Sequence, residues 1–542
     1  MAILEKERVS LNILCTIKSE IDMPESQISF NASNIDDIIN DELGINCCLK
    51  ELQTNKFNGF DSYEAAAYLL KWCVRITTIY FKHILPIKSD DDNDGISKSL
   101  FIDSVLNDEY EKMMTFFANI AENKKEYSLS PDDFKRKHNV IEMQEDASKI
   151  LSSIKNKLIA IKEVSSTELF LPAIKGKHCP IYISTDLKAM LCKTIADAAP
   201  DKILILSDAI VGEYYELGDW LNQLAEDSCC VIDEYIIDNA SEKTLSQMQD
   251  TLMFSESKRL TKASLIIIFG GGSVGSIGGM TAKLYFRGIK YLYVPTTLLS
   301  QIDCAIGCKH SLNGALGKNK FGVYNLPESV IINPLICGTL CIEQKKSGLV
   351  EALKHGLCQS QKLLDKIINY NYDCFDVISL TKIITETIKC KLEYMKDDPY
   401  ASSPELAMEF GHKVAHAVEH LSKESMPHGV CVAFGMVAEA KLFSIMYSES
   451  TDAANMMTHI IEMVKKVVSH IKIPCEHTNK QIADAVLYDN KRREDAIPFI
   501  RLISEQNPSV VWISENDAFM RQLEEAIGFA RECFTPKQEG IS

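Results

Sequence analysis

A chain of 542 residues, 46% hydrophobic and 25% charged, can bury more than one core, and the usual domain size of about 100 to 200 residues predicts three domains. A formal charge of −17 and a pI near 5.3 argue against the clustered Lys and Arg that a nucleic-acid partner requires. No apolar run is long enough to span a bilayer, and "MAILEKERVS" places charges where an export signal needs its apolar core, so a cytoplasmic protein without a membrane partner is expected.

In chain order, residues 1 to 165 read as a mostly helical extension, with apolar residues at helical spacing in "YEAAAYLLKWCVRITTIYFKHIL" and "ASKILSSIKNKLIAIKEV". Between them "SDDDNDG" alternates Asp90, Asp92 and Asp94 before Gly95, as a calcium loop begins. Phe101 stands where the bidentate Glu is due, which favours a solvated acidic turn. The extension carries no motif for chemistry, and a protein partner is the role left open for it. Eighteen scattered cysteines without a framework of spacings read as reduced thiols, and the CxxxC pairs Cys304/Cys308 and Cys337/Cys341 are read the same way.

From about residue 167 short apolar strands alternate with helices: "CPIYIS", "KILILSD", "CCVIDEYII", "SLIIIFGGG" and "KYLYVP". This alternation predicts parallel strands with crossover helices, a Rossmann-like α/β domain over 166–335. After about 340 helical periodicity takes over, predicting an all-helical domain over 336–542. The fold class is α/β plus all-α.

"IIIFGGGSVGSIGG" puts Gly270, Gly271, Gly272 and Gly275 directly after a buried strand, where bare backbone approaches a pyrophosphate and a helix N-terminus favours its charge. The same glycines also suit tight strand–helix packing. Asp208, at the end of "KILILSD", suits a ribose hydroxyl or a helix N-cap. The next segment, "PTTLLSQIDCAIGCKHSLNGALGKNKFG", reads as one long loop that joins Asp303, Lys309 and Asn319 and suits a phosphorylated or polyhydroxylated substrate.

"GLVEALKHG" places Glu351 and Lys354 on one helical face, with His355 four residues after Glu351. "FGHKVAHAVEHLSKESMPHG" follows with His412, His416, His420 and His428, the first two again on one face. Two imidazoles and a carboxylate with one open position make a catalytic metal site, so Glu351 with two of these histidines suffices. Spacing alone does not choose which two, and it leaves His355 as a rival. His428 precedes a glycine in a loop and offers a ligand from a second direction.

Together these residues resemble the sugar phosphate cyclases of the 3-dehydroquinate synthase superfamily: "GGGSVGS", "LYFRG", "PTTLLSQID", "GCK", "LGKN", "EALKHG", "FGHKVAH" and "PHG" follow in the family's order over residues 170 to 510. The resemblance implies an NAD domain, a helical metal domain, and an active site between them. It implies Zn2+ or Co2+ held by Glu351, His412 and His428. NAD would lie at Asp208, Gly271, Gly272, Gly275, Thr296, Thr297, Asp303 and Lys318. Arg287, Asn319, Lys354, Lys391 and Lys491 would bind substrate, with Lys309, Glu409 and His416 at the reacting centre. Arg287 matches a residue that reaches a neighbouring subunit, which implies a homodimer.

Departures from the family pattern bear on substrate. Glu405 and Glu409 stand where dehydroquinate synthases typically have Arg and Asn, and an acid in place of that Arg repels a substrate carboxylate. A Glu at the second position is similar to 2-deoxy-scyllo-inosose synthases, which cyclise glucose 6-phosphate. The valiolone-type cyclases usually lose the histidine matching His416. Ser276, Cys308, Lys413 and Ala415 are further departures, and none removes a metal ligand. The expected activity is therefore a phosphate-eliminating cyclisation of a carboxylate-free sugar phosphate with no net redox change. A 3-dehydroquinate synthase and a metal-dependent polyol dehydrogenase are the rival activities, and a catalytically dead scaffold is the non-enzymatic one.

Overall fold

The computed structural model describes residues 167–174, 177–214, 230–314, 317–371, 376–397, 407–422, 426–468, 477–488 and 492–534. The predicted helical extension, its acidic turn, Lys491 and Glu405 lie outside the described residues. The first described unit is a seven-stranded sheet in the order β1-β2-β9-β6-β5-β3-β4. Its strands are β1 (Thr167–Ile174), β2 (Lys177–Ile183), β3 (Lys202–Asp208), β4 (Val231–Ile237), β5 (Leu265–Gly270), β6 (Lys290–Pro295) and β9 (Ser329–Ile332). Every pairing except β1 with β2 is parallel. Helices α1 (Leu187–Ala198), α2 (Ala209–Tyr214), α3 (Leu245–Ser257) and α4 (Gly272–Leu284) follow β2, β3, β4 and β5.

The central strands are continuous apolar runs because helices cover both faces of the sheet. "LIIIFG" in β5 and "YLYVP" in β6 are buried throughout. From β3 the chain steps to β4 on one side, then returns across β3 to β5 on the other. That reversal opens a crevice beyond the carboxyl ends of β3 and β5, where open α/β sheets hold ligands. Leu206 pairs with Ile268, so the register, continued two residues, sets Asp208 level with Gly270.

Two predictions for this half need correction. The expected loop after β6 contains a π-helical turn (Ser300–Cys304) and an antiparallel hairpin, β7 (Lys309–Gly314) with β8 (Gly317–Tyr324). Its glycines and lysines hid the pattern, although His310 and Leu312 of β7 turn inward at strand period. The sheet also gains β1, an antiparallel edge strand where only parallel strands were expected.

The second half contains α5 (Ile342–Gln359), α6 (Gln361–Ile368), α7 (Val377–Asp397), α8 (His412–Leu421), α9 (His428–Met446), α10 (Thr451–Val468), α11 (Asn479–Val486) and α12 (Asp517–Phe534). It is not all-helical, because β10 (Ala496–Ser504) and β11 (Asn507–Ser514) form a hairpin against α9 and α10. A short apolar run such as "IPFI" fits a buried strand or helix equally, and the chain reverses through Gln506 at φ 52° without a glycine to mark the turn. Helix α9 is long and apolar enough to cross a membrane by length and composition, but 78% of that window is buried inside the protein. It is the central helix, packed on α5, α8, α10 and α12.

Candidate active site

Three candidate metal ligands come together from three helices. Glu351 lies midway along α5, His412 is the first residue of α8, and His428 is the first residue of α9. Gly411 sets the start of α8 at φ 80°, pressed so closely on α9 that a Cβ would stand 2.7 Å from the Met436 backbone nitrogen. The start of α9 is tied to α5, since the Gly429 N–H donates to Ser347 Oγ at 2.9 Å.

Glu351 Oε1 lies 3.6 Å from His412 Nε2 and 3.4 Å from His428 Nε2. Tetrahedral ligands about 2.1 Å from an ion stand roughly 3.4 Å apart, so this triangle has the size of a metal site. The remaining polar atoms turn the lone pairs inward. Lys354 Nζ donates to Glu351 Oε2 at 2.5 Å, His412 Nδ1 to the Phe410 carbonyl at 3.2 Å, and His428 Nδ1 to Glu419 Oε1 at 2.6 Å. Glu351 Oε1 is buried and makes no hydrogen bond, which is costly unless a cation meets it. These residues fit a divalent metal.

The electrostatics agree with that donor set. Burial opposes ionisation of Glu351, but Lys354, His412 and His428 outweigh it and hold the carboxyl well below its usual range. Burial and then the Lys354 charge push His412 down to about 3, leaving it neutral with a lone pair to give. Burial also lowers His428, yet Glu419 and Glu351 hold it at about 10, a measure of the negative charge gathered around one point. His355, the rival ligand, bonds Gln359 and stays outside the triangle.

The glycine loop and the metal triangle are linked through the π-helical turn. A Cβ on Gly272 would stand 2.8 Å from Cys304 Sγ, and neighbouring Asp303 pairs with Lys391 of α7. Burial raises Asp303, but Lys391 and Lys354 bring it to about 2 against the repulsion of Glu351. Gly271 precedes α4, its missing Cβ facing Thr297, while Thr296 N–H donates to the Gly270 carbonyl at 3.1 Å. Gly275 is buried in α4, where a Cβ would meet the Tyr293 hydroxyl at 2.1 Å. Packing of α4 on β6 requires that glycine. Asp208 Oδ1 accepts the Val211 N–H at 2.9 Å, as a helix cap does.

Two family models meet within α5. A model of the 3-dehydroquinate synthase N-terminal region matches residues 234–347, and one of the C-terminal region matches 348–492. A 3-dehydroquinate synthase of Clostridium tetani is 30% identical over 360 residues, covering 64% of this chain and 92% of the relative. The chain belongs to the 3-dehydroquinate synthase superfamily of sugar phosphate cyclases, which are phosphate-eliminating lyases. A 2-deoxy-scyllo-inosose synthase of Streptomyces kanamyceticus is 28% identical over 350 residues, 62% of this chain and 86% of the relative. A solved 2-deoxy-scyllo-inosose synthase, complexed with carbaglucose-6-phosphate, NAD+ and Co2+, shares the fold at TM-score 0.60 and 21% identity. That likeness covers 68% of this chain and 99% of the solved chain.

Within this cyclase fold the other predicted residues separate. His416 is half-buried with its ring 5.5 Å from that of His412, and His420 is exposed. Lys309 is exposed at the start of β7. Asn319 Oδ1 accepts from Lys243 Nζ at 2.8 Å and from Ser311 at 2.9 Å. Lys318, expected at the cofactor, reaches Glu419 at 3.5 Å, behind His428. Glu409 pairs with Lys413 at 3.0 Å. Arg287 ends a turn beyond α4, about 20 Å from the glycine loop along that helix. Within one chain it does not join the site. Cys308, where the family pattern has glycine, adopts φ 51°, the left-handed region glycine favours.

Sequence reasoning missed Glu419, Lys243 and Glu439. Glu419 was legible as the residue seven after His412, two helical turns along the face that begins with a ligand. Lys243 follows β4 with no motif to mark it. Glu439, fully buried within α9, is apparent only once that helix is seen at the centre of the domain.

Proposed function

We propose that this cyclase acts on glucose 6-phosphate and forms 2-deoxy-scyllo-inosose, with NAD+ at the glycine loop and a divalent cation at Glu351, His412 and His428. The observation that carries this reading is the Glu409 carboxylate on the short turn Ala407–Glu409, directly before the helix that begins with His412. A substrate carboxylate brought to that turn would face like charge, whereas the hydroxyls of an aldose phosphate would find an acceptor. NAD+ at Gly271, Gly272, Asp208, Thr296 and Thr297 would set its pyrophosphate at the N-terminus of α4, and a solved 2-deoxy-scyllo-inosose synthase of this fold is complexed with NAD+ and Co2+.

When bound, NAD+ supplies a hydride acceptor that returns what it takes, and the cation supplies a Lewis acid. The chain's own residues handle protons and position. Glu409 accepts the proton from the carbon beside the oxidised centre as the C–O bond to phosphate breaks, and the phosphate leaves with the bonding electrons. Lys309 and His416 orient the phosphorylated end, and Asn319, fixed by Lys243 and Ser311, offers hydrogen bonds to substrate hydroxyls. Lys354 and Lys391 keep Glu351 and Asp303 ionised. Arg287 completes the phosphate site of a second copy in a homodimer.

A 3-dehydroquinate synthase is the second reading, favoured by the identity to relatives of that name. Incubation with NAD+ and Co2+ should release phosphate from glucose 6-phosphate and give a deoxy-inosose by NMR, with no net NADH. Turnover confined to the heptulosonate phosphate would replace the proposal with the second reading. Full turnover by Glu409→Gln would remove the role given to Glu409.

A further inference from the structure

Lys413 follows the ligand His412, yet its side chain is only 1% exposed. Its Nζ lies 3.0 Å from Glu409 Oε2, and that carboxylate is 16% exposed. A second carboxyl group, Glu439 of α9, is fully buried, faces the Gly411 and Lys413 backbone, and lies within the field of the Lys413 ammonium. The ammonium therefore meets one carboxylate, Glu409, and lies within the field of a second carboxyl group, Glu439, held buried in α9. The turn that bears Glu409 is also held at its backbone, because Lys354 Nζ donates to the Met408 carbonyl at 2.8 Å.

An exposed pair at this i, i+4 spacing would contribute little, since water screens it and both side chains move. Burial changes that balance. An ammonium removed from water and left without a partner is strongly unfavourable, so Lys413 constrains where the Glu409 carboxylate can go. Gly411, fixed against α9, carries the same constraint through the backbone.

We propose that Lys413 is a positioning residue for Glu409, so that carboxylate and buried ammonium act on substrate as one unit. This rests on the reading of Glu409 as the proton acceptor. It follows that a neutral side chain at 409 disturbs Lys413 as well as the substrate, because it removes the carboxylate that this buried ammonium meets at 3.0 Å.

The test is a double-mutant cycle on the full chain with NAD+ and Co2+, run on whichever of glucose 6-phosphate and the heptulosonate phosphate the wild type turns over. Glu409→Gln and Lys413→Met should each lower kcat by about tenfold or more with KM moved less than about threefold, and the double variant should be no slower than the slower single. Lys413→Arg, which keeps the charge, should recover most of the loss. The visible absorption of bound Co2+ shows whether the metal triangle has assembled in each variant, and Lys413→Gln replaces Lys413→Met if the latter does not fold. Wild-type kcat in Lys413→Met, or losses that multiply in the double variant, would overturn this proposal while leaving Glu409 its role. Full turnover by Glu409→Gln would overturn both.

Discussion

Glu419 accepts the Nδ1 hydrogen of His428 at 2.6 Å, on the side of the imidazole away from Glu351. The contact fixes the ring orientation and leaves Nε2 facing Glu351 Oε1. A carboxylate behind a ligating histidine also raises its basicity.

Removing that partner should loosen the metal before it damages the fold. Glu419→Gln is expected to weaken Co2+ affinity by about 10- to 100-fold, as other losses of such outer partners do. Titration of the metal-free protein with Co2+, followed by visible absorption, checks this. Unchanged affinity would mean that Glu419 only packs.

Lys354 is the counterpart on Glu351. Its Nζ meets Glu351 Oε2 at 2.5 Å, and both side chains are almost fully buried. Lys354→Met should destabilise the protein by about 3–5 kcal/mol in denaturant unfolding without metal, because a buried carboxylate loses its compensating charge. Saturating Co2+ should restore part of that loss, since the ion neutralises the same carboxylate.

Gly411→Ala should break the site from a distance. The residue would occupy φ 80° with its Cβ against backbone atoms of α9 at 2.7 and 2.8 Å. Strain of that kind is about 1–3 kcal/mol before the clash is counted. Because His412 is next in sequence, metal content should fall together with the unfolding midpoint.

Glu439 gives the pH prediction. Burial pushes its carboxyl from 4.5 up to about 8, against the opposing pull of the Gly411 backbone and the Lys413 charge. A group whose folded pKa is raised contributes stability fully below its unfolded value and loses it as pH rises through the folded value. The window is therefore pH 4.5 to 8. Glu439→Gln cannot titrate and keeps the charged neighbours Lys413 and Glu409, with Cys358 facing from α5. The Tm of the variant relative to wild type should rise from pH 5 to pH 8, the range of that titration. A difference independent of pH would show that Glu439 is already ionised in the folded protein.

The strand–helix alternation, the glycine loop and the helical histidine pair were legible because each is a local pattern with a period or a fixed spacing. The hairpins β7–β8 and β10–β11 were not, since glycines, lysines and short apolar runs masked the strand period and Gln506 turns the chain without a glycine. Gly275 of α4 packs against Tyr293 of β6, a contact that no local spacing reveals.

By itself the sequence determined which residue types were available for metal chemistry: one helical carboxylate, a helix-face histidine pair and a histidine before a glycine. It also placed Glu409 three residues before His412, where substrate choice is expected to be made. Tertiary structure decided which nitrogens converge. His355 shares a helix with Glu351 yet turns to Gln359, while His428 arrives from a different helix and points at the same oxygen. Spacing fixes only neighbours along one helix. Which lone pairs meet depends on the Gly411 turn, the Ser347 tie and the carboxylate of Glu419.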